Sequence, residues 1–173
     1  MTATLQNKTP RLQPAHSVLF FLLGLLAACQ TDPAAQLKPL NLLEYGLPVT
    51  ILAPDSAEVK QNDLGFIKDV TVRKGEDFSI QIFASQSTTN DLSRIKADQL
   101  SEVKANPYFA EIVREEDDGF IYKLVVDSLP NYGFRHFRIQ GDLELIFQTG
   151  LLGTFSLEDV ELMYQAVRPQ PAD

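Results

Sequence analysis

From Leu40 onward the spacing of apolar side chains changes repeatedly along the chain. Val49-Thr50-Ile51-Leu52-Ala53 reads as a short strand fenced by Pro48 and Pro54, which cannot donate to a ladder. Asp69–Lys74 alternates as a half-buried strand does. Lys74-Gly75-Glu76-Asp77 supplies a turn, and Phe78–Ala84 alternates again with Phe78, Ile80 and Ile82 on one face, so the two segments predict a hairpin. Asp91 stands where a helix N-cap should, ahead of a helical stripe of Leu92, Ile95, Leu100 and Val103 that ends before Asn106-Pro107.

Ala110–Glu115 is the next predicted strand, and Asp117-Asp118-Gly119 is a strong turn signal. The continuous apolar run in Phe120–Val126 predicts a central strand buried on both faces. Asn131-Tyr132-Gly133 reads as a break. Phe134–Ile139 alternates, Gln140-Gly141-Asp142 turns, and Leu143–Phe147 forms a strand. The last element is a helix capped by Ser156, with Asp159 three residues on as in a capping box and Phe155 and Val160 placed for a hydrophobic staple. Val160, Met163, Tyr164 and Val167 fall at helical spacing, and Pro169 stops the run. The order predicts an α+β domain: an antiparallel sheet covered by two helices.

The first 39 residues follow a different pattern. Residues 1–16 are polar, with Lys8 and Arg11 and no acidic side chain. An apolar run from Ser17 to Ala28 follows. That run falls short of the roughly 20 residues a helix needs to cross a bilayer, and it has the length of the apolar core of an export signal. It ends in Leu26-Ala27-Ala28-Cys29, with the only cysteine of the chain in last place. This tetrapeptide resembles the lipobox of bacterial lipoprotein precursors. The resemblance implies that a diacylglyceryl group is attached to the Cys29 thiol and that a dedicated peptidase cuts between Ala28 and Cys29. A plain cleaved signal with an incidental Cys29, an uncleaved anchor and a buried cytosolic helix are the competing readings. The coincidence of basic start, short apolar run, small residues and unique cysteine favours the lipobox. Residues 29–39, with Pro33 and Pro39, read as a short tether, 40–168 as one domain and 169–173 as a tail. The expected address is the cell envelope, on the extracytoplasmic side of a bacterial membrane.

Charge and cysteine usage narrow the function classes. The chain carries a formal charge of −8, and removal of residues 1–28 leaves 13 basic and 23 acidic side chains, a formal charge of −10. Such a domain is repelled by nucleic acid and by anionic lipid, so no nucleic-acid partner is expected. A lone cysteine rules out an intrachain disulfide and a multi-cysteine zinc site, and no cofactor is implied.

The element order resembles the PsbP-like fold: a proline-fenced first strand at Leu47-Pro48-Val49-Thr50-Ile51, a helix after the hairpin, late paired strands Arg135–Ile139 and Leu143–Phe147, and a closing helix from Ser156. The resemblance covers most of residues 40–168. It implies a binding or assembly module more readily than an enzyme, and no functional residue is carried over from it.

Candidate chemistry is sparse. His136 is the one histidine after the signal and shares a strand face with Phe134 and Arg138. A hydrolase would use it with a serine or a carboxylate, but no Gly-x-Ser-x-Gly nucleophile sequence is present. An exposed or half-buried strand histidine is the simpler expectation. Glu115-Glu116-Asp117-Asp118 gathers four carboxylates at a turn without the alternating pattern of a calcium loop, so a solvated turn and no metal are expected. Tyr132, Arg135 and Arg138 suggest an anion or sugar contact, but the odd spacing of the arginines puts them on opposite faces of a strand. Gly150-Leu151-Leu152-Gly153-Thr154 precedes a helix start already occupied by Glu158 and Asp159, so an apolar connection is favoured over an anion site. The expected function is a lipid-anchored, non-enzymatic module with an envelope protein or a small molecule as partner; the alternative is an envelope hydrolase using His136.

Overall fold

The computed structural model describes Thr2 and residues 33–63 and 65–169, so Ala28 and Cys29 lie outside the described residues. After a 3-10 turn at Pro33–Gln36, strands β1 (Lys38–Asn41) and β2 (Thr50–Ala53) pair as an antiparallel hairpin. The predicted domain start at Leu40 therefore falls inside β1, and the fold belongs to a unit running from Asp32 to Asp173.

Seven further strands make one antiparallel sheet: β3 (Glu58–Asp63), β4 (Ile67–Lys74), β5 (Phe78–Gln86), β6 (Phe109–Glu116), β7 (Gly119–Val126), β8 (Leu129–Gln140) and β9 (Leu143–Thr149). Their spatial order is β3-β4-β5-β9-β8-β7-β6. Helix α1 (Leu92–Lys104) links β5 to β6, and α2 (Leu157–Val167) closes the chain. The α+β class is as the sequence predicts. No helix among the described residues is long and apolar enough to cross a membrane.

Register assigns the two faces. Val70, Ile82, Phe147 and His136 lie in one row across the sheet, and Thr71, Gln81, Gln148 and Arg135 lie in a row on the opposite face. On the first face, Val160, Met163, Tyr164 and Val167 of α2 pack with Val70, Ile80, Phe147 and the hairpin residues Leu47 and Ile51 in the main core. Each such side chain contributes roughly 1.5–3 kcal/mol on burial. Phe155 and Val160, the expected staple pair, are both buried in that cluster. On the second face, Ile95 and Val103 of α1 cover Phe120 and Phe137 in a smaller core. The two helices thus lie on opposite faces.

Three sequence readings are corrected. β3 is an addition to the predicted elements: in Glu-Val-Lys-Gln-Asn-Asp only Val59 is apolar and packs against the main core, and the strand lies at the sheet edge, paired only to β4. The supposed break at Asn131-Tyr132-Gly133 is the interior of β8. The reversal lies earlier, at Asp127-Ser128, whose φ angles of 50° and 67° make a two-residue hairpin turn. Gly133 serves close approach instead, since a Cβ there would stand 2.5 Å from the Tyr122 ring. Finally, β7 lies second from the sheet edge. Phe120 and Ile121 are buried, but Val125 is exposed.

Candidate functional site

α1 packs against the β8 part of the second sheet face, and over β3, β4 and β5 that face opens into a groove. Here the registers stack polar side chains: Glu58 opposite Arg73, Lys60 opposite Thr71 and Asn62 opposite Asp69. The groove encloses about 460 Å³, within the range of small-molecule pockets, about 300–1,000 Å³. Its far wall forms where β9 ends. Gly150 donates its N–H to the Ser79 carbonyl, and a Cβ on Gly150 would fall 2.1 Å from Ser79 Oγ, so only glycine allows this approach. The chain then turns out, and Leu151 and Leu152, each 77% exposed, form an apolar lip.

The groove floor holds a buried polar chain. Gln148 Nε2 donates to Gln81 Oε1 (3.2 Å), and Gln81 Nε2 donates to Asp69 Oδ1 (3.0 Å). Asp69 is 8% exposed, yet among the described residues no cation lies within ion-pair distance of it. At the other end Gln148 Oε1 is buried without a donor, and across the ladder Arg135 Nε is buried without an acceptor. Buried polar atoms normally find partners; these two continue the row beyond Gln81, outside the groove lining, with Arg135 facing Glu102 of α1. Lys60, Arg73 and Glu58 ring the opening, and none is in an ion pair among the described residues.

His136 lies elsewhere, on the first sheet face beneath α2. It is 1% exposed, where the sequence suggested an exposed or half-buried position. Its ring packs against Phe147 and edge-on against Tyr164, with centroids 5.6 and 5.9 Å away. Burial pushes its pKa down to about 4; Asp118, 3.8 Å from Nδ1, opposes the shift, and Arg138 and Arg168 add to it. Neither ring nitrogen has a well-formed hydrogen bond, and no hydroxyl is bonded to either. Tyr164, whose hydroxyl is also buried and unbonded, has its pKa raised, by burial first and then by Glu116 and Asp118. This is an imidazole packed as a ring, with an acid beside it and no activated nucleophile among the described residues.

The other sequence candidates disperse. Glu115 pairs with Lys96, Glu116 with Arg114 and Arg168, and Asp118 sits beside His136, while Asp117 is exposed. No group of three potential metal ligands occurs among the described residues. Arg135 reaches Glu102 of α1 on one face. Arg138 donates to the Val167 carbonyl on the other, as their odd spacing required. Tyr132 stands under Lys123, apart from both. Gly150–Thr154 is the groove lip. Sequence reading missed the groove floor, although two glutamines set inside apolar strands, Gln81 and Gln148, were a visible signal.

No protein-family model, curated protein or solved structure matches this chain.

Proposed function

We propose that this chain is a lipid-anchored protein of the bacterial cell envelope whose domain binds a small ligand and catalyses nothing. The observation that carries the binding role is the groove, whose lining includes a buried carboxylate, Asp69, with no cation within ion-pair distance among the described residues. The anchor rests on Leu26-Ala27-Ala28-Cys29, with cleavage between Ala28 and Cys29 and acylation of the Cys29 thiol. On this reading the domain faces the extracytoplasmic side of its membrane. We also read it as PsbP-like, from the proline-fenced strand β2, the helix after the β4–β5 hairpin and the closing capped helix.

Fractionation of the native host tests the anchor. The parent sediments with membranes and begins at an acylated Cys29, whereas a Cys29→Ser variant is released. A native protein that begins at Met1, or a variant that stays equally membrane-bound, overturns the reading. The binding role predicts that small polar extracts of the envelope raise the melting temperature of the parent more than that of Gln81→Leu, a change in the groove lining, and equal shifts contradict it.

A further inference from the structure

The groove's charges have a definite spacing. Asp69 and Arg73 are four residues apart on one strand, so their side chains leave the same sheet face. At about 3.4 Å per residue their Cα atoms are roughly 13 Å apart. Asp69 is the buried anion, and Arg73 is an exposed cation whose Nε donates to the Gly75 carbonyl, 2.9 Å away. Lys60, opposite Thr71, stands between them on the neighbouring strand. Beside this line rises the apolar lip of Leu151 and Leu152.

Glu58 lies opposite Arg73, but Arg73 and Lys60 together outnumber it, so the groove runs from the Asp69 carboxylate to a net positive stretch beside an apolar wall, the complement of a zwitterion with an apolar side chain. The ammonium and carboxylate of a single amino acid are too close together to reach both ends. An extended chain spans about 3.3–3.6 Å per residue, so three or four residues match the distance. We propose that the groove binds a short peptide with free termini, its amino terminus at Asp69, its carboxylate at Arg73, and an apolar side chain against Leu151 and Leu152. This deepens the reading of the domain as a ligand-binding module and rests on it. The ammonium group gives the buried Asp69 carboxylate the cation it lacks, and buried charges are stable when paired. The guanidinium suits a terminal carboxylate because it can donate in bidentate fashion.

Calorimetry with the full chain in detergent and the tripeptide Ala-Leu-Ala tests this. The expected result is saturable one-site binding that weakens about tenfold or more when the peptide is N-acetylated, and likewise when it is C-amidated. Arg73→Gln should weaken binding of the free peptide but not of the amidated one. Absence of saturable binding overturns the proposal, as does unchanged affinity for the N-acetylated peptide. Equal affinity for the amidated peptide overturns it too, since that ligand is a simple cation. The capped peptides act on the unaltered protein, so the test does not depend on how Asp69→Asn folds. Absence of peptide binding while envelope extracts still raise the melting temperature of the parent above that of Gln81→Leu would fall on this proposal alone. Equal extract shifts in the two proteins would fall on the ligand-binding reading itself.

Discussion

At the scale of single residues, His136 and the close-approach glycines make the clearest commitments. The buried imidazole has its pKa lowered to about 4, below its unfolded value near 6.5, so between these limits the unfolded chain binds more protons. The stability from keeping His136 neutral is therefore complete above about pH 6.5, is lost as pH falls toward 4, and changes no further below that. The full loss is on the order of 3 kcal/mol. Denaturant titrations of the parent and His136→Phe check it. The variant should lack this share of the acid sensitivity, and parallel pH profiles would contradict the assignment. Gly133→Ala should destabilise by about 1–3 kcal/mol, because the new methyl meets the Tyr122 ring of β7. A thermal melt of Gly133→Ala in a Tyr122→Leu background should show most of that loss recovered.

At the scale of elements, local chemistry explains what was legible. Both helices were readable because their caps are written in adjacent residues. The Asp91 carboxylate accepts from the Ser93 and Arg94 N–H groups, and Ser156 and Asp159 form a reciprocal capping box. Ser156→Ala should cost about 1 kcal/mol in a chemical melt. Asp159→Ala added to it should cost less than its effect alone, since the two share one motif. β4, β5 and the second half of β8 are readable from alternation, and the hairpin turn at Gly75 from its glycine. β3 is not, because an edge strand with the single apolar residue Val59 carries no hydrophobic period. Asn131-Tyr132-Gly133 reads as a turn because Asn and Gly are common there, while their roles in β8 are tertiary: Asn131 Oδ1 accepts from the Phe155 N–H, and Gly133 makes room for Tyr122. The groove was hidden for a related reason. Asp69, Thr71 and Arg73 sit at the polar positions of an amphipathic strand, and alternation assigns such a face to water. That Gln81 becomes buried depends on its pairing to β9, a strand distant in sequence, and Asp69 is in turn bonded to the Gln81 amide.

At the scale of the whole molecule, the two ends of the chain propose different things. Residues 1–29 carry a reading of address, and the domain carries a groove. A formal charge of −10 after removal of residues 1–28 gives the domain no electrostatic attraction to an anionic bilayer. Stable residence at a membrane then needs covalent lipid, where each buried methylene contributes about 0.8 kcal/mol and one chain alone binds marginally. Two or more chains on Cys29 would hold the domain, and the exposed lip of Leu151 and Leu152 would remain open to ligand. The most direct test of this account is intact-mass analysis of the protein recovered from native membranes. The account predicts a chain that begins at Cys29 and carries the added mass of a diacylglyceryl group, and a chain that retains Met1 with an unmodified thiol would contradict it.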